Sequence, residues 1–110
     1  MITWHDFEKV EMRVGTILEV KDFPKANKPA YQLTIDFGSE LGIKKSSAQI
    51  TKRYRKEELL GKQIIAVVNF PKKQIADFMS ECLVLGSVGE EQDIVLLTSD
   101  IPVTNGLRIG

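Results

Sequence analysis

The chain has 110 residues, with 15 Lys and Arg against 15 Asp and Glu, and a single cysteine. That length fits one domain with a modest core, and one cysteine excludes an internal disulfide, as expected in a reducing cytoplasm. Residues 1–20 carry charges throughout, and no apolar run approaches the roughly 20 residues that span a bilayer, so neither a secretory leader nor a membrane helix is expected.

Thr3-Trp4-His5-Asp6 has the form of a helix start, with Thr3 as cap and Asp6 in the third helical position; the helix should end near Lys9. Val10 to Val20 then alternates. Val10, Met12, Val14, Thr16, Leu18 and Val20 are expected on the buried face, and Gly15 marks a bend or bulge. Phe23 to Pro29 is a loop stiffened by two prolines. Tyr31, Leu33, Ile35 and Phe37 alternate with polar residues and give the cleanest strand. Gly38 and Gly42 punctuate a turn. The polar strand from Ile43 to Gln49 is either an edge or a binding face. Thr51 to Leu60 predicts one or two short helical pieces, stopped by Gly61.

The chain is organised around Ile64 to Gly86. The apolar runs Ile64–Val68 and Cys82–Leu85 read as buried strands. The connector between them, Asn69 to Ser80, carries an amide, two lysines, two phenylalanines, a methionine and a serine. A scaffold presenting a binding loop has reason to carry such residues; a hairpin with both phenylalanines tucked beneath it is the alternative. An acidic turn, Gly89 to Asp93, precedes a last core strand, Ile94 to Thr98. The tail is punctuated at Pro102 and Asn105-Gly106.

Charge is neutral in sum but uneven. From Lys44 to Lys73 nine basic residues stand against two acidic ones; from Asp77 onward six acidic residues are opposed only by Arg108. This is a weak footprint for polyanions, and a solvated face of mixed charge has the same pattern. Catalysis has no visible machinery. His5 is the only histidine, no Cys or Ser motif lies beside it, and there is no glycine-rich phosphate loop or metal-ligand spacing. No enzyme activity, cofactor or metal is expected, and Cys82, inside an apolar run, reads as a buried small hydrophobe.

Five or more strands, a short N-terminal helix, a helix between the third and fourth strands and a C-terminal extension predict an all-β, five-stranded OB-fold barrel. In that fold the second and third strands offer a binding face. Two ligand classes fit the residues. Nucleic acid would use Lys28, Lys44, Lys45, Lys72 and Lys73 on phosphates, with Ser47, Asn69 and Ser80 as hydrogen-bonding groups. Polypeptide would use Phe23, Tyr31, Phe70, Ile75, Phe78 and Met79 as an apolar groove, with Ser46 and Gln49 bonding an extended backbone.

Specific motifs go further. Asp6 to Ile17, the run Pro24-Lys25-Ala26-Asn27-Lys28, Gly61-Lys62 leading through an apolar strand to Asn69, and Ser80 eleven residues later resemble the tRNA-binding OB domain. That domain is attached to methionyl- and phenylalanyl-tRNA synthetases and also occurs free-standing. Ser46 to Thr51, Val67 to Pro71, Ser80-Glu81 leading into Leu83–Gly86, and the ending from Thr104 resemble its free-standing, export-related chaperone branch. There are departures from the tRNA-binding pattern. Glu81-Cys82-Leu83 stands where the pattern has x-Gly-Met, Phe23 and Asn27 replace His and Asp, and Asp77 replaces Gly. The resemblance implies residues 1–110 as one such domain, with N- and C-terminal extensions that form a cytoplasmic homodimer. It implies as partners tRNA, unfolded or preprotein polypeptide, and the export machinery, SecA.

Overall fold

The computed structural model describes residues 1–110. Helix α1 (Trp4–Glu8) starts as its sequence dictates: the Thr3 hydroxyl accepts from the Asp6 amide while the Asp6 carboxylate accepts from the Thr3 amide. Strands β1 (Met12–Asp22), β2 (Tyr31–Asp36), β3 (Ile43–Ala48), β4 (Gln63–Val67) and β7 (Leu83–Val84) form one antiparallel sheet in the order β3-β2-β1-β4-β7. The sheet curls into a nearly closed barrel of the OB type, as expected. Its core is a cluster that includes Ile17, Leu33, Ile35, Phe37, Ala48, Ile50, Leu59, Ile64 and Ala66.

The inward face of β1 differs from the simple alternation. A register shift between Ile17 and Glu19 leaves Leu18 half exposed and reverses the phase of the strand, so the core receives Ile17 and Val20. The irregularity lies at Leu18, not at Gly15. Gly15 is required by packing instead: a Cβ there would stand 2.6 Å from Ile35 Cγ2 and 2.8 Å from the Phe37 ring.

Val14, Ile65 and Val67 are buried outside that core. They share the outer face of β1 and β4 with Thr16 and Gln63, which hold Asn105 and Val103 of the tail. Strand β4 is thus buried on both faces, which is why Ile64 to Val68 is a continuous apolar run. The tail also extends the sheet: Val14 N–H donates to Leu107 C=O at 3.0 Å, and Gly106 N–H donates to Val14 C=O at 2.7 Å.

Three expectations for the connections change. Gly38–Leu41 is a one-turn helix, α2, and not merely a turn. The helix after β3 shrinks to α3 (Lys56–Leu59), preceded by turns at residues 51–53. The expected last core strand, β9 (Ile94–Leu96), pairs only with β8 (Gly86–Val88) in a separate ribbon. That ribbon packs on the barrel through Ile94 and Leu96. It is tied down by the Leu96 N–H donating to the Tyr54 hydroxyl at 3.0 Å, and by a two-pronged ion pair between Arg53 and Asp93.

Candidate ligand-binding groove

The residue 69–80 connector folds as a hairpin of β5 (Lys73–Ile75) and β6 (Phe78–Ser80), turned at Ala76 with φ of 51°. Side chains alternate along β6. Phe78 and Ser80 point inward, and Met79 points to solvent. Phe78 buries itself against Phe23 and Ala30 in a small second core, with Ala26 and Ile75 packed on it.

The hairpin delivers Ser80 and Glu81 to the outer edge of β3. Glu81 N–H donates to Lys45 C=O at 2.7 Å, Lys45 N–H donates to Glu81 Oε1 at 2.9 Å, and Ser47 N–H donates to Ser80 Oγ at 3.1 Å. These bonds close the barrel where strand pairing alone does not. Beyond them lies a groove of about 590 Å³ between the end of β3, the hairpin and the Cys82–Val88 segment. Ten of its 17 lining residues are apolar, among them Ile50, Phe70, Ile75, Leu83, Val84 and Ile94, and its one charged lining residue is Lys73.

Of the expected polypeptide contacts, Gln49, Phe70 and Ile75 line this groove. Met79 is exposed but lies outside it. Four others are corrected by burial. Phe23 and Phe78 form the second core. Tyr31 sits in the barrel core, its hydroxyl donating to Tyr54 C=O at 2.7 Å. Ser46 is fully buried, its hydroxyl donating to the Ser47 carbonyl.

Of the expected nucleic-acid contacts, Ser47, Lys73 and Ser80 border the groove, and Ser80 is itself held in the β3 edge. Lys28 and Lys45 are exposed on the surface, and neither makes an ion pair. Lys44 lies on the Ser46 side of β3, opposite Ile35, and is half-buried. Lys72 meets Glu81 at 3.5 Å. Asn69 is structural: its side-chain amide donates to Lys9 C=O at 2.7 Å and its oxygen accepts from the Glu11 amide at 3.1 Å, latching the end of α1 to β4. The two acids that break the tRNA-binding pattern have structural tasks, since Asp77 pairs with Lys25 at 3.1 Å and Glu81 seals the β3 edge.

Sequence reasoning missed the Leu83–Val88 wall. Leu83 stands within an apolar run that reads as wholly buried, yet it is 47% exposed. Cys82 lies beneath the groove. Burial pushes its thiol up to about 12, opposed by the Lys44 charge and reinforced by Glu81. No group of three or more His, Cys, Asp or Glu side chains converges as a metal site, and no helix is long and apolar enough to cross a membrane.

An OB-type barrel with an apolar groove beside its third strand, sealed by a hairpin, defines a small binding module. The chain belongs to the family described as a putative tRNA binding domain, whose model matches residues 12–108. It is similar to the solved CsaA chaperone from Bacillus anthracis str. Ames, with 52% identity over 100% of this chain and 99% of that one and a TM-score of 0.95. It is also similar to the CsaA chaperone protein from Picrophilus torridus, with 55% identity, complete coverage of both chains and a TM-score of 0.94. Methionine–tRNA ligase from Pyrococcus horikoshii is 34% identical over 108 residues, which is 98% of this chain. The chain spans about 14% of the length of that enzyme and of the similar ligase from Nanoarchaeum equitans.

Proposed function

We propose that this protein is a non-enzymatic, cytoplasmic binding protein of the CsaA type that holds unfolded or export-bound polypeptide. The observation that carries this reading is the groove: about 590 Å³, mostly apolar, with a single cation. Such a surface suits apolar side chains and gives a phosphate backbone little to hold. The high identity to two chaperones over the whole chain supports it. The export machinery, SecA included, stands as a partner by resemblance alone.

A second reading is tRNA binding in trans with synthetases. The family match and the exposed, unpaired Lys28, Lys45 and Lys73 favour it. Both readings include a homodimer, formed through α1 and the tail, where Trp4 and Leu107 expose apolar surface.

Titrating the protein with a denatured preprotein and with deacylated tRNA at several salt concentrations tests both. Polypeptide binding that changes little with salt supports the chaperone reading. Steeply salt-dependent tRNA binding without polypeptide binding replaces it with the second.

A further inference from the structure

We propose that the groove holds its occupant as an added β-strand, hydrogen-bonded to the open end of the β3 edge at Ser47 and Gln49, with a carboxylate of the occupant on Lys73. This rests on the reading that the groove takes polypeptide, and it specifies which polypeptide.

The main chain of β3 supplies the first argument. Its inner edge pairs with β2, and its outer edge presents alternate residues. The outward groups of Lys45 and the Ser47 N–H are satisfied by Glu81 and Ser80. The extended backbone continues past the strand, because Ile50 is buried in the same core as Ala48 while Gln49 between them faces out. Gln49 therefore carries its N–H and C=O on the outer edge, and neither takes part in a hydrogen bond within the chain. The Ser47 carbonyl on the same edge receives only a 3.2 Å bond from its neighbour's hydroxyl outside the sheet.

An unpaired edge is a template for another strand, and folded proteins normally cover it. Here the cover ends where the groove begins. An extended chain offers the alternating donors and acceptors that this edge lacks, and it points every second side chain at the apolar floor. A helical segment, with its main-chain groups already used, offers neither.

Charge supplies the second argument. Lys73 on the rim has no carboxylate within ion-pair distance, and no acidic residue lines the groove. A lone cation beside an apolar floor favours a segment bearing one carboxylate and disfavours a Lys- or Arg-rich one. A nucleic-acid strand would need a row of cations, which the groove does not have.

The test uses a short capped peptide in which valine alternates with threonine and one threonine is replaced by glutamate. Two further versions carry N-methyl groups on alternate amides, one version for each edge of the strand. Methylation of one edge should weaken binding about tenfold, the loss of a main-chain hydrogen bond or two, while methylation of the other changes it little. Equal losses for both edges, or no loss for either, overturn strand addition. A parent peptide and a denatured preprotein that both fail to bind overturn the underlying reading instead. Lys73→Gln should weaken the glutamate peptide several-fold and leave its glutamine analogue unchanged; equal affinities overturn the assignment of the carboxylate.

Discussion

The rings of Phe23 and Phe78 lie with centroids 5.4 Å apart, tilted by 58°. Phe23 belongs to the loop between β1 and β2, and Phe78 to the hairpin after β4. Lys25 and Asp77 join the same two segments at 3.1 Å. In barrels of this type those two loops flank the ligand. Here they are fastened to each other, so the hairpin wall of the groove is held in place by contacts on its far side. Phe78→Ala should cost about 3 kcal/mol, the low end for a buried phenylalanine. A double-mutant cycle with Phe23→Ala should show a coupling of about 1 kcal/mol. Urea unfolding measures both, and a loss below about 0.5 kcal/mol would mean that the pair is not packed as described.

Phe70 is the opposite case. It is 55% exposed and lines the groove, so truncation should leave stability nearly unchanged. Phe70→Ala should weaken polypeptide binding by about 1–3 kcal/mol, as expected for an apolar anchor. Binding by calorimetry beside a urea melt separates the two effects. Unchanged affinity removes Phe70 from the site.

The contrast between these two phenylalanines marks the limit of what the sequence could reveal. Period-two alternation exposed β2 completely, and the capping pair Thr3 and Asp6 exposed α1. Both signals are local. Phe70 and Phe78 stand in one connector, each beside polar residues, and it is the pairing of β5 with β6 that turns Phe78 inward while Phe70, outside the hairpin strands, stays exposed. Asn69 and Ser80 were legible as polar residues at chosen positions. Their hydrogen bonds, however, go to Lys9, Glu11 and Ser47, which are distant in sequence. The phase reversal at Leu18 was invisible because an alternating run reads the same on both sides of a bulge. The wall around Leu83 was hidden because exposure there depends on a gap between strands, not on the strand's own composition.

The lysines should differ in their service to tRNA. Lys28, Lys45 and Lys73 are free, while Lys72 is engaged with Glu81 at 3.5 Å. If tRNA binds, replacing any free lysine that contacts phosphate should flatten the slope of log affinity against log salt by about 0.7–0.9. Lys72→Ala should flatten it less, because binding through Lys72 first requires leaving Glu81. Filter binding across a salt series resolves this, and a larger effect at Lys72 than at Lys73 would contradict the ranking.

Cys82 should make the stability of the fold decline in alkaline solution. Its thiol is held at about 12 against an ordinary value of 9.0, chiefly by burial. Between those values the unfolded chain loses the thiol proton and the folded chain keeps it. The folded state then binds more protons, so this contribution to stability is complete below about pH 9 and declines as pH rises toward 12. Cys82→Ala should flatten the fall in stability between about pH 8 and about pH 10.5, whatever its effect at neutral pH. A thiol reagent should also leave native Cys82 unmodified at neutral pH and react on unfolding. Parallel pH profiles for the variant and the parent would show that Cys82 does not cause the decline.

The tail is anchored along β1 and against α1. The Gln63 side chain accepts from the Val103 amide and donates to its carbonyl, at 3.0 and 2.6 Å, imitating a strand neighbour. Gly106, with φ of 93°, turns the chain so that Leu107 and Ile109 pair along β1. Arg108 Nη2 then donates to Glu8 C=O at 2.8 Å and holds the tail beside α1. Trp4 and Leu107, 84% and 50% exposed, are left facing outward on these joined segments. A second copy of the chain covering them would form a two-fold, self-complementary contact. Sedimentation at micromolar concentration should give the mass of two chains. Trp4→Ala should shift it toward one, and Gln63→Ala should do so more weakly by loosening the tail. A single-chain mass for the parent, unchanged on concentration, would end the dimer proposal and leave Trp4 and Leu107 as surface without a partner.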